Sequence, residues 1–105
     1  MEYNIDLQQI ADELDFDFED VEMLMEVYLD STLENIDKLE KAIESNDFES
    51  IYQLGHSLKG SSSNLLFKDI ASVAKDIEEN GKNKIAIDYK EKFNLLKTLV
   101  SNLTK

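Results

Sequence analysis

Between Val21 and Ile43 apolar residues return at three- and four-residue intervals: Val21, Leu24, Met25, Tyr28, Thr32, Ile36, Leu39 and Ile43. Neither proline nor glycine interrupts them. That interval matches the turn of an α-helix and draws a stripe down one side of it. The whole chain of 105 residues has no proline and three glycines. Such scarcity of turn formers favours a few long helices over turn-rich β structure. No run with strand periodicity and no long internal repeat is present. The expectation is an all-α chain, one domain over residues 1–105, large enough for a single core.

The remaining elements follow from caps and stripes. Residues 1–6 are a short tail with little signal. Asp6 opens a capping box for a short helix from Leu7 to Leu14, with Leu7, Ile10, Ala11 and Leu14 on one face. Asp17 is the expected N-cap of the long helix, which runs to about Ser45, with Glu19 and Asp20 in its favourable first turn. Met23 and Val27 lie off its stripe as an adjacent pair. Either the short first helix covers them or they belong to an apolar docking patch. Asn46-Asp47-Phe48-Glu49 starts the next helix. A fourth runs from Phe67 to about Asn80, with Phe67, Ile70, Ala71, Ala74 and Ile77 inward and Gly81 as its C-terminal stop. Residues 83–88 fit either a loop or a helix start. Asp88 then caps a last stripe of Tyr89, Phe93, Leu96, Val100 and Leu103, widened by Leu95 and Leu99. Four long amphipathic helices with short links imply an antiparallel up-down four-helix bundle, with the short extra N-terminal helix capping one end.

Composition narrows the function. There is no cysteine and one histidine, which argues against a disulfide framework and against a zinc site. The net charge of −12 argues against nucleic acid or anionic membrane as partners, because neutralising phosphates needs Lys and Arg. No signal peptide or transmembrane run is present, so a cytoplasmic location is expected. The chain is also expected to be a monomer.

The one histidine sits in the most informative stretch. Wound as a helix from Phe48 to Leu66, the chain gathers Ile51, Leu54, Leu58, Ser62 and Leu65 on one side, with Gly55 at the edge. His56 falls roughly opposite the middle of that stripe. Tyr52, Lys59, Gly60 and Ser63 stand three, four or seven places from it and share its face. Neutral imidazole is the side chain best suited to nucleophilic or proton chemistry near pH 7. Lys59 could offset the charge of an anion carried by His56, and Lys68 is a second nearby cation. Gly60 costs about 1 kcal/mol relative to alanine inside a helix, and clearance for an approaching partner would compensate. The plainer alternative is a solvated surface histidine and lysine, with Gly60 ending the helix.

His56-Ser57-Leu58-Lys59-Gly60-Ser61-Ser62-Ser63-Asn64-Leu65 resembles the core motif of the histidine-containing phosphotransfer (HPt) domains of bacterial phosphorelays: His, any residue, an aliphatic, Lys, Gly, then small residues. With the helical layout, the resemblance covers nearly the whole chain. Many members carry glycine about ten residues after the histidine, where Leu66 stands here. The resemblance implies the same bundle and a shuttle role for His56. A response-regulator receiver, phosphorylated on aspartate and supplying Mg²⁺, docks over the histidine. Its phosphoryl group moves to His56, by family analogy to Nε2, and then to a second receiver or back. Lys59 would steady the phosphoryl oxygens, Gly60 would leave room, and Tyr52, Ser63, Lys68, Met23 and Val27 would meet the partner. No cofactor is expected on this chain; a hybrid histidine kinase is a further implied partner. The residues themselves offer no glycine-rich nucleotide loop and no second histidine as base, so the chain is not a self-sufficient enzyme. A binding-only helical adaptor, and the phosphoacceptor domain of a larger hybrid or chemotaxis-type kinase, are the competing readings.

Overall fold

The structure, a computed structural model, describes residues 2–105. Its described residues form five helices: α1 (Leu7–Leu14), α2 (Phe18–Glu44), α3 (Phe48–Asn64), α4 (Lys68–Lys82) and α5 (Tyr89–Ser101). Aspartates start three of them. The side chain of Asp6 accepts from Gln9 N–H, that of Asp47 from Ser50 N–H, and that of Asp88 from Glu91 N–H, at 3.1–3.2 Å. Each such cap contributes about 1 kcal/mol. Asp17 holds the N-cap position of α2, but its side chain makes no capping bond. Residues 83–88 are a non-helical link.

At about 1.5 Å per residue, the 27 residues of α2 account for the 41 Å long axis of the molecule. Helices α2, α3, α4 and α5 close a ring: α2 packs on α3, α3 on α4, α4 on α5, and α5 returns to α2. α1 packs on α2 alone. Buried residues from all five helices form one cluster, with Met25, Leu39, Ile51, Leu58, Ile77 and Leu96 at its centre. Within it the Tyr28 hydroxyl meets Ser62 Oγ at 2.9 Å, and the Tyr28 and Phe67 rings meet edge-on at 5.2 Å. These contacts tie α2 to the end of α3.

Several expected positions shift. Leu24 is 41% exposed instead of lying in the core. Val21, Met25 and Tyr28 take the inward face at this end of α2, and Leu24 lies to one side of them, in an open groove with Phe16 and Val27. Leu29 and Ala42 are buried in its place along the stripe, and Leu95 is exposed. Ala71, Ile43 and Leu54 are half-buried. Gly81 does not stop α4, which continues to Lys82; the link after it turns at Lys84, with φ 55°. Gly81 is buried against α3, where an added Cβ would lie 2.9 Å from Ile51 Cγ2 and from Tyr52 N.

α3 ends at Asn64, and Leu66 turns the chain in the left-handed region at φ 66°. Glycine is favoured there because a Cβ is crowded in that conformation. The N-terminal segment is also less loose than its sequence suggests; Met1 lies outside the described residues. Tyr3 bridges Thr104, Asn4 N–H donates to Leu103 O, and Asn4 Nδ2 donates to the carbonyls of Asn102 and Thr104.

Candidate functional site

His56 lies in mid-helix on α3, and the helix passes through Gly60 without a break. Its side chain is 65% exposed. Its partner stands on a different helix. Glu78 of α4 is buried, with a side chain only 9% exposed, and its two oxygens are both taken. Oε2 lies 2.5 Å from His56 Nδ1, and Oε1 lies 2.7 Å from Lys59 Nζ.

Glycine brings Glu78 there. Gly55 precedes His56 and is buried where α3 crosses α4. A Cβ on it would fall 2.8 Å from Glu78 N and 2.9 Å from Glu78 Cα. Ile51 and Tyr52 meet Gly81, and Gly55 meets Glu78, so rising numbers on α3 meet falling numbers on α4. The two helices run antiparallel, and their backbones touch at the level of the histidine. A residue with a side chain at position 55 would hold the carboxylate away from the imidazole.

Burial pushes the Glu78 carboxyl up, but the hydrogen bonds from Lys59 and His56, with the charges of both, outweigh it and hold the group below the usual carboxylate range. It is therefore ionised at neutral pH, and an ionised carboxylate only accepts hydrogen bonds. Nδ1 of His56 must donate. In the neutral ring the lone pair then sits on Nε2, the nitrogen not engaged by Glu78.

Around this centre the expected residues sort clearly. Lys59 is drawn in, through Glu78. Tyr52 is half-buried, its ring centroid 6.5 Å from that of the imidazole. Gly60 is exposed, and an added Cβ would meet nothing within 4 Å. Ser63 is exposed two turns along from His56. Lys68 is exposed at the start of α4, ten residues before Glu78, and is therefore separated from it by about 15 Å of helix. It is not brought to the imidazole. Met23 and Val27 are each 66% exposed, so α1 leaves them bare. With Phe16, Asp20 and Leu24 they line an open depression. A groove lined by Phe16, Leu24, Val27, Ser61 and Asn64 leads from it toward the histidine-bearing helix.

Glu78 left a weak trace in the sequence: an acid at the register of the inward residues Ala74 and Gly81, four after one and three before the other. An acid at a core register is one that needs partners.

The family model of the Hpt domain matches residues 23–105. The chain belongs to the Hpt domain family. Searches of curated proteins and of solved structures return no significant match. Hpt domains act in phosphotransfer in two-component signalling, and they interact with response-regulator receivers and kinases. The matched span of this Hpt domain takes in nearly all of α2 and the whole of α3, α4 and α5, and so includes His56, Lys59, Gly60 and Glu78. Among the described residues, no helix is long and apolar enough to cross a membrane.

Proposed function

We propose that this Hpt domain is a phosphorelay carrier that accepts a phosphoryl group on Nε2 of His56 from a receiver aspartate and passes it to a second receiver, acting as a single subunit. The observation that carries the proposal is the Nδ1 contact with buried Glu78, which leaves Nε2 free on an exposed ring. Nε2 attacks phosphorus in line. The N–P bond forms as the bond between phosphorus and the aspartyl oxygen breaks, and the carboxylate leaves. The proton on Nδ1 stays between the ring and Glu78, whose charge offsets the positive charge that the ring acquires. Positioning and charge neutralisation are the main demands of phosphoryl transfer. Mg²⁺ belongs to the receiver in this scheme. Lys59 Nζ exchanges one Glu78 oxygen for the phosphoryl oxygens, and the open space at Gly60 admits the partner. Tyr52 and Ser63 flank the docked receiver, Lys68 meets its far edge, and Met23 and Val27 supply the apolar centre of a transient interface.

The bundle belongs to the same reading. The closed ring of contacts from α2 to α5, with α3 and α4 antiparallel, supports an up-down four-helix arrangement to which α1 is added.

Incubation with an aspartyl-phosphorylated receiver tests the function. Acid-labile, base-stable label should appear on the wild type and be absent from His56→Gln. Label on neither protein, with any receiver of the same genome, would favour the binding-only adaptor.

A further inference from the structure

Residues 1–37 hold thirteen Asp and Glu and no Lys or Arg, whereas residues 38–105 hold ten acids and all eleven lysines. The net charge of −12 is therefore a property of α1 and most of α2, and the part of the chain that carries His56 is close to neutral. All thirteen acids are exposed, and among the described residues only Glu34 has a lysine partner, Lys38 at 3.1 Å. Glu22, Glu26, Asp30 and Glu34 stand four apart on α2, a ladder of like charges that repel one another.

The apolar surface of Phe16, Met23, Leu24 and Val27 lies within this acidic region, over a depression of about 330 Å³. Glu19, Asp20, Glu26 and Asp30 lie three or four residues from Met23 or Val27 and so rim it. An apolar patch with a polar rim marks an interaction surface, and a rim of one sign selects a partner of the other. A groove of about 560 Å³ continues from the patch to Ser61 and Asn64 on α3, beside Gly60. The patch is thus contiguous with the face that displays the histidine.

We propose that the receiver serving His56 docks on this patch through a face that is aliphatic at its centre and ringed by Lys and Arg, and that this attraction sets both the encounter rate and the docking orientation. The inference rests on the phosphotransfer reading above and adds the chemistry of the partner's surface. Orientation follows from the separation of charge. The incoming aspartyl phosphate is anionic and is repelled by α1 and α2, but it is tolerated over Lys59. A basic flank on the receiver is attracted to α2 and repelled by nothing there. A receiver with both features is turned so that its phosphoryl group lies over α3. A partner with an acidic docking face would meet thirteen exposed carboxylates, of which Glu34 alone among the described residues is paired with a lysine.

The test is the rate of transfer from each aspartyl-phosphorylated receiver of the same genome to the full chain, measured against salt below and at saturation. Between about 0.01 M and about 1 M salt the screening length falls from about 30 Å to about 3 Å. The second-order rate should fall by roughly tenfold or more, while the first-order rate in the saturated complex changes little. Neutralising the rim with Glu26→Gln and Asp30→Asn should lower the low-salt rate and flatten its salt dependence. Glu40→Gln with Glu44→Gln, nearer the other end of α2, should leave both unchanged. Intact transfer whose rate is flat in salt and indifferent to the rim variants overturns the basic docking face and leaves the phosphotransfer function standing. No transfer from any receiver to the wild type, at any salt, overturns that function and this inference with it.

Discussion

Glu78 does two jobs with one carboxylate: it decides which imidazole nitrogen carries the proton, and it holds Lys59 Nζ on its other oxygen. The two jobs separate by substitution. In Glu78→Gln a carbonyl can still accept from Nδ1 but no longer carries a charge for the ring or for Lys59. In Glu78→Ala both are lost. A hydrogen bond to a charged group contributes about 1.5–3 kcal/mol, so transfer should slow by roughly tenfold in Glu78→Gln and by more in Glu78→Ala, read as single-turnover labelling of His56. The same residue shapes acid stability. Its folded-state pKa lies below the ordinary value of 4.5, so the stabilisation is present above that value and is lost as pH falls through the lower, folded one. Asp47, held down by the hydroxyl and backbone N–H of Ser50, acts in the same direction. Urea unfolding of the wild type should therefore weaken on acidification below about pH 4.5, and Glu78→Gln should weaken less steeply. Identical acid limbs would mean that the bonds to Glu78 add nothing to folding.

At the scale of the elements, the α3–α4 pair is the device that builds the site, and its glycines do unlike work. Gly55 and Gly81 are contact points between two backbones. Gly60 touches nothing. Alanine scanning should split them. Gly60→Ala gains helix propensity and should stabilise by about 1 kcal/mol. Gly55→Ala and Gly81→Ala must force the helices apart and should destabilise by about 1–3 kcal/mol. Thermal or urea melts of the three variants check the order. Gly55→Ala should also slow transfer, since it moves Glu78 off the imidazole. At the end of α3, Leu66 occupies a left-handed turn at a cost of roughly 1–2 kcal/mol. Its side chain lines a groove with Ile5, Leu99 and Leu103, which joins the turn to the N-terminal segment and α5.

For the whole molecule the governing quantity is where the charge lies. Unpaired acids on α1 and α2 repel one another across a short distance, and self-repulsion lowers the stability of a compact state. Added salt screens that repulsion. The melting temperature of the isolated domain should rise between about 0.01 M and about 0.3 M sodium chloride, as the screening length falls well below the spacing of the charges, and calorimetry at fixed pH reads it directly. A melting temperature flat or falling over that range would show that the acids are too well solvated to oppose one another. The terminal pairing of Tyr3 with Thr104 and of Asn4 with three C-terminal carbonyls closes the end of the molecule where α5 finishes.

The sequence by itself determined the helices, the caps at Asp6 and Asp88, and the outward face of His56, Lys59 and Gly60, because those depend on 3.6-residue periodicity and on hydrogen bonds between near neighbours; the box at Asn46 slid by one residue, so that Asp47 caps α3 and Asn46 turns in the left-handed region. It did not place Glu78, twenty-two residues from His56, or the true burial of Leu24 and Leu95, or the work of Gly81. Each of these depends on which helix lies opposite and how closely it approaches. Only tertiary packing brings the buried carboxylate against the exposed ring, and that contact gives a surface histidine one fixed tautomer with Nε2 left free.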